Sequence, residues 1–309
     1  MTIDNNRLDS SAADASKGDA VKSKQATQTE TRKAAVEEVY WTHEGDYGPD
    51  HWGELSSSFG VCRWGKQQSP IDLVGRIAQQ LPAVTFHYQP SEIRILNNGH
   101  TIQVNYDAGS HLETNGKRYD LLQFHFHSPS EHTIDGQRFA AELHLVHKSV
   151  DGQLAVVGLL LQEGEENRAF EAVWHHFPAE ETAETSVGEQ VNALDFLPDD
   201  RTSYRYNGSL TMPPCTEGVS WFVMTTPVTI SANQLAAFRK IFHGNNRPVQ
   251  ALQRHQIVTD KPSSCIFGPA QCHDFIVPSR LIRHRKHSSE TPQKMALLYF
   301  FSNFFPECI

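Results

Sequence analysis

The sequence predicts a mainly β protein of the α+β class, a meandering antiparallel sheet with a few short helices, and three observations carry that expectation. Short segments alternate apolar and polar side chains, turn signals rich in Asn, Asp and Gly separate them, and a helical period appears in only two places. With 309 residues, 39% hydrophobic and 10% aromatic, the chain holds enough apolar surface for a substantial core.

Residues 1–37 are rich in Ser, Ala, Thr, Lys, Asp and Gln and nearly free of large apolar side chains. They have no face to bury and are expected to form a disordered tail. They also lack the apolar stretch of roughly 7–15 residues that a secretory signal needs, so export is either not encoded here or encoded upstream. Order is expected from Tyr40 and Trp41, where Trp41, Tyr47, Trp52, Phe59 and Trp64 gather in a loop-rich lobe as core packing. Strands are predicted over 84–88, 93–96, 101–106 and 110–114, divided by Asn-Asn-Gly, Asp-Ala-Gly and Asn-Gly turns. The nearly continuous apolar run 154–161, bounded by Gly152 and Gly164, suits a central strand buried on both faces. The first helix is expected over 167–176, with Phe170, Val173 and Trp174 on one stripe. The second runs over 231–242, where Ser231 caps and Leu235, Phe238, Ile241 and Phe242 face inward. Between them a loop over 208–218 leads into a strand over 219–225.

From about residue 261 the alternation stops, and Arg280, Arg283, Arg285 and Lys286 cluster in a polar run that reads as a solvated extension. Cys265, Cys272 and His273 fall here, but their spacing matches no usual zinc pattern. The chain has five cysteines, which sequence alone does not pair. A net charge of −9 argues against nucleic acid as a partner, because phosphate binding needs a basic face. The apolar run 295–305 is broken by Ser302 and Asn303 and is too short to span a bilayer, so no transmembrane segment is predicted.

The chemistry concentrates in the runs 123–132 and 141–147. On a strand Gln123, His125 and His127 share one face, and Leu122, Phe124 and Phe126 share the other. In the second run Glu142, His144 and Val146 form one face, and the loop at Asp135-Gly136 folds it back beside the first. Three imidazoles then converge with no fourth protein ligand, as at a catalytic zinc that keeps one position for water. A lone His-x-His arises on any polar strand. What favours a metal is Gln123 and Glu142, each two residues before a histidine on the same face, where they accept the N–H that the metal does not use.

Further runs point the same way: Gly48-Pro-Asp-His-Trp52, Gln68-Ser-Pro-Ile-Asp72, Asn97-Asn-Gly-His100, Ser130-Glu-His-Thr133, Ser209-Leu-Thr211, Pro213-Pro-Cys215 and Asn245-Asn-Arg-Pro-Val249. With the two histidine runs, and in this order, the chain resembles the α-class carbonic anhydrases of the bacterial type. The resemblance implies a single domain over 38–260 around a ten-stranded, mostly antiparallel twisted sheet, with Zn2+ at the floor of a cleft. The activity it implies is a lyase reaction, the reversible hydration of carbon dioxide to bicarbonate by zinc-activated water. Carried over by residue, His125, His127 and His144 are the zinc ligands, backed by Gln123 and Glu142. Thr211 and Glu131 form a gating pair, His100 shuttles protons, and Val146, Val156, Leu210, Thr211, Met212 and Trp221 form the substrate site. The resemblance also implies a Cys62–Cys215 disulfide, which favours a periplasmic or secreted location over a cytoplasmic one.

Two positions depart from the family pattern. His43 stands where a tyrosine is common near the cleft waters, and Met212 stands where a second threonine usually follows the gate. The expected partners are a small-molecule substrate and no nucleic acid, with a homodimer compatible. The competing functions are a non-catalytic binding module on the same fold, which loss of a ligand histidine would favour although all three are present, and zinc storage through a His-rich surface, which predicts several weakly bound metals instead of one.

Overall fold

In a computed structural model of the chain, which describes residues 39–260, the alternating segments are strands. They are β1 (Ile77–Ala78), β2 (Val84–His87), β3 (Ser91–Asn97), β4 (Ile102–Asn105), β5 (His111–Thr114), β6 (Lys117–His127), β7 (Thr133–Ile134), β8 (Gln137–Arg138), β9 (Ala141–Lys148), β10 (Leu154–Glu163), β11 (Thr182–Val191), β12 (Ser203–Ser209), β13 (Glu217–Met224), β14 (Val228–Ile230) and β15 (Val258–Thr259). The expected tail, the C-terminal extension and Cys265, Cys272, His273 and Cys308 lie outside the described residues.

The sheet runs β1-β15-β12-β13-β10-β9-β6-β4-β3-β11, and β2, β5 and β14 attach beside this path, for thirteen strands where ten were expected. Pairing is antiparallel except where β1 meets β15 and where β10 meets β13 and β14. β10 lies mid-sheet with both faces buried from Ala155 to Leu161, as its apolar run predicts. Asn115-Gly116 joins β5 to β6 with both residues at positive φ, 50° and 72°, the backbone that a tight hairpin demands and that Asn-Gly tolerates. Asp135-Gly136 does the same for the small β7–β8 hairpin.

Two expected faces need correction. β6 and β9 pair with Leu121 opposite His147 but Gln123 opposite Val146. Leu122 is therefore the extra residue of a bulge, and it is 43% exposed instead of joining Phe124 and Phe126. In the N-terminal lobe Trp41, Trp52 and Phe59 pack around Cys62 and Cys215, but Tyr47 and Trp64 are exposed.

Behind the sheet, Phe124, Phe126, Leu143 and Leu145 belong to the larger core. Phe126 meets Phe170, Trp174 and Phe238 edge to face, which anchors the two helical segments there. The first is a 3-10 turn, Arg168–Phe170, continued by a short α-helix, Glu171–His175. The second is Ala232–Ile241, closed by a capping box between Ser231 and Gln234. With the helices on that face, the alternate residues of β6 and β9 project to the other.

His147 is also buried behind the sheet, with Nε2 2.7 Å from the Tyr88 hydroxyl. Burial lowers its pKa to about 3, against about 6.5 for a solvated imidazole. Below pH ~6.5 the unfolded chain therefore takes up a proton that the native state refuses, so stability falls as pH falls towards about 3, by up to ~1.4 kcal/mol per pH unit. His43, also lowered to about 3 by burial and by His127 and His100, acts with the same sign. Urea unfolding of His147→Gln at about pH 5 and about pH 7 is expected to show a pH dependence reduced by about one proton; an unreduced dependence would refute the account.

Candidate active site

β6 and β9 pair so that His125 stands opposite His144 and His127 opposite Glu142. All of these are buried. Each histidine has one nitrogen engaged by an acceptor. His125 Nδ1 donates to Gln123 Oε1 at 2.9 Å, His127 Nδ1 to the Asn245 carbonyl at 2.7 Å, and His144 Nε2 to Glu142 Oε1 at 2.8 Å. This sets the three tautomers and leaves His125 Nε2, His127 Nε2 and His144 Nδ1 with lone pairs. The candidate ligand atoms of these three residues lie within 4.8 Å of one another, and His127 Nε2 is buried with no hydrogen-bond partner among the described residues.

Burial drives the histidine pKa values down. His125 falls well below its ordinary value, with repulsion from His127 and His144 adding to burial; His127 falls to about 4, and His144 is lowered too. The imidazoles are neutral at physiological pH, which is the ligating form. A buried, partnerless nitrogen within such a donor set fits a tetrahedral zinc with one position left for water.

Glu142 is the hub beneath them. Its carboxylate accepts from the backbone N–H groups of Glu131 and His132 at 2.9 and 2.8 Å, and from His132 Nδ1 at 2.7 Å as well as His144. Burial alone would raise its pKa, but His132 and His144 more than offset this and hold it well below the carboxylate range. From His132 the chain continues to the Tyr206 hydroxyl at 2.6 Å and to Ser69 Oγ at 2.9 Å. Gly158, opposite His144 on β10, leaves room for this carboxylate: a Cβ there would stand 3.1 Å from Glu142 Oε1.

A cavity of about 240 Å³ opens above His125 and His144. All six residues expected at the substrate site, Val146, Val156, Leu210, Thr211, Met212 and Trp221, line it, joined by Leu154 and Pro213. Trp221 is fixed by its indole N–H to the Ser209 carbonyl at 3.0 Å. Glu131 lies fully buried, and Oε1 accepts the Arg247 backbone N–H at 2.8 Å. Burial pushes its pKa up to about 7, opposed by His144, Arg247 and the Thr211 hydroxyl. Glu131 Oε2 has no hydrogen bond of full geometry.

His100 stands apart from this cavity. Its ring stacks on Trp41 at 3.6 Å, and with His43 it lines a separate, wider cavity of about 650 Å³. The His43 ring lies 6.3 Å from it. Cys62 and Cys215 form a disulfide between the N-terminal lobe and the loop after Thr211.

Three contributors had no role assigned from sequence. Asn245 holds His127 through its carbonyl, and its side chain ties together Ser128, His100 and Phe126. The buried Arg247 guanidinium binds Gln68 Oε1, Ser69 O and Cys62 O. His132 braces Glu142. The only signal for them was membership of the runs 130–133 and 245–249.

A family model described as eukaryotic-type carbonic anhydrase matches residues 47–261. A carbonic anhydrase of Nostoc sp. is 42% identical over 236 residues, covering 74% of this chain and 89% of that one. A carbonic anhydrase of Pectobacterium carotovorum is 42% identical over 226 residues, covering 73% and 93%. Among solved structures, the alpha-carbonic anhydrase of Thermovibrio ammonificans in complex with the inhibitor sulfanilamide matches with a TM-score of 0.70 at 40% identity, covering 72% of this chain and 99% of that one.

Proposed function

The chain belongs to the eukaryotic-type (alpha) carbonic anhydrase family and is a carbonic anhydrase, and from that premise we propose that it hydrates carbon dioxide at a zinc ion held by His125, His127 and His144. The observation that carries this is the converging set of three neutral imidazoles, each with its second nitrogen taken by a protein acceptor. Zinc bound there would lower the pKa of water to about 7 and so supply hydroxide at neutral pH, a figure for which carbonic anhydrase is itself the type example.

The remaining roles belong to the chain. Val146, Val156, Leu210 and Trp221 make a dry wall suited to a substrate with no charge and no hydrogen to donate. The Arg247 backbone N–H holds the Glu131 carboxylate in place, and the Thr211 hydroxyl donates a hydrogen bond to that carboxylate. The Thr211 oxygen is then left to accept a hydrogen bond from the nucleophile and aim its lone pair at carbon. His100 passes the product proton to buffer, with Trp41 as its resting platform. Met212 at the cavity wall gives anions a thioether in place of a hydroxyl.

We assign this unit to residues 38–260, with 1–37 as a tail and 261–309 as an extension. The disulfide is compatible with a periplasmic or secreted location, which we take as the preferred one. Among the described residues no helix is long and apolar enough to cross a membrane.

Stopped-flow hydration of carbon dioxide by the full chain, before and after removal and return of zinc, tests the reading. Activity is expected to vanish with the metal and return at one zinc per chain at the catalytic site. Bound zinc without hydration would instead point to the binding-module alternative.

A further inference from the structure

We propose that the exposed face of the β2–β5 pair is a second zinc-type divalent cation site, formed by His87, His111 and Glu113. The pairing places His87 directly opposite His111 and Thr85 opposite Glu113. Residues opposite one another on antiparallel strands project to the same side with Cβ atoms about 4.5–5.5 Å apart, and His111 and Glu113 share that side by strand alternation. Two imidazoles and one carboxylate are thereby gathered by backbone register alone.

The distances bring the three side chains within reach of one ion. Candidate ligand atoms of all three side chains lie within 4.8 Å of one another. Glu113 Oε1 is 3.5 Å from His111 Nε2, and Glu113 Oε2 is 4.0 Å from His87 Nε2. Donors about 2.0–2.1 Å from a tetrahedral zinc stand roughly 3.3 Å apart, so the His111–Glu113 pair is already close to one edge of such a tetrahedron and His87 must move inward to complete the set.

The tautomer of His111 is also set. Its Nδ1 lies 2.9 Å from the Gly109 carbonyl, which only accepts, so Nδ1 carries the hydrogen. In the neutral ring Nε2 then offers its lone pair towards Glu113. A lone pair and a carboxylate facing each other call for a cation between them, either a proton or a metal.

The rings of His87 and His111 stack 4.7 Å apart at 17°, and the His87 side chain, 46% exposed, has room to swing its Nε2 onto a shared ion. Across from Glu113 and His111 on β6 stand Arg118 and Asp120; Arg118 donates to Asp120 at 2.8 and 2.7 Å, so its charge is directed to Asp120. Imidazole and carboxylate donors suit zinc, nickel or copper over magnesium.

The site lies at the N-terminal end of β6, where β5 pairs with residues 117–120, away from His125 and His127 at the other end. It shares no residue with the catalytic centre and does not depend on the catalytic reading. Among the described residues β2 pairs with β5 alone, so an ion bridging His87 to β5 would fasten an edge strand and raise the thermal midpoint of unfolding by mass action.

The test is calorimetric titration of the full chain, its catalytic zinc already loaded and counted, with zinc ion alone. Wild type, His111→Ala and Glu113→Gln are compared, with carbon dioxide hydration measured in each. One further zinc in the micromolar range is expected, with a rise in midpoint. Both substitutions should weaken it by at least about tenfold, since even outer partners of a metal cost 10–100-fold, and should leave hydration unchanged. Absence of a second zinc in wild type overturns the proposal, as does a second zinc that survives either substitution. Both results leave the catalytic assignment standing, because that is read from the first zinc and from hydration.

Discussion

His125→Ala is expected to leave the protein folded, without zinc at the catalytic site, and without measurable hydration of carbon dioxide. The position suits the experiment because His125 lines the cavity: truncation there enlarges an existing space, and water can reach the stranded Gln123 amide. The expected size follows from the water. When the metal is lost its pKa returns from about 7 to the far higher value of bulk water, so the hydroxide fraction at neutral pH falls by roughly eight powers of ten and only background hydration remains. Gln123→Ala provides the contrast. It removes only the acceptor that aims His125, and such partners cost about 10–100-fold in metal affinity. Metal content and stopped-flow rates of the two variants, with circular dichroism as a folding control, check the difference. Retention of stoichiometric catalytic zinc and activity by His125→Ala would remove the ligand assignment.

His100→Ala is expected to lower turnover by about 10³-fold or more in weak buffer, to leave kcat/KM nearly unchanged, and to recover with added imidazole. The size comes from proton arithmetic. An encounter limit of roughly 10⁹–10¹⁰ M⁻¹s⁻¹ multiplied by about 10⁻⁷ M hydroxide sustains only about 10²–10³ s⁻¹, far below the ~10⁶ s⁻¹ that is the type figure for carbonic anhydrase. An imidazole, whose ordinary pKa is near 6.5, closes that gap. His100 lies against Trp41 and lines the wider cavity instead of the one at the histidine cluster. The variant therefore leaves the 240 Å³ cavity, and with it carbon dioxide binding, intact. Unchanged turnover would end the shuttle assignment and direct attention to His43 in the same cavity.

The strands were legible where burial on one face writes an alternating pattern. β3 and β4 read this way, with buried and half-buried residues in turn, and β10 read from its continuous apolar run. β11 did not, because it is exposed along nearly its whole length and no core contact imposes a pattern on it. β12 also escaped notice. Its Tyr204, Tyr206 and Arg205 are all buried, and the arginine is accommodated by contacts with Ser203, Pro82 and Asp260. The Leu122 bulge was invisible for a related reason. Strict alternation is the default, and only the pairing of β6 with β9 reveals an extra residue.

The sequence by itself determined that His125, His127 and Gln123 share one face of a strand, and that His144 and Glu142 share a face of another. These placements follow from the period of two in an extended backbone, a property of each segment alone. It also carried the ordered runs that identify the family. Only the tertiary structure decided that the two strands stand in the register joining His125 to His144. It likewise brought the Asn245 carbonyl, 118 residues away in sequence, onto His127, gave Glu142 four donors, and set His100 on Trp41. Each of those contacts depends on how distant segments pack, and local propensity does not encode the distance between them.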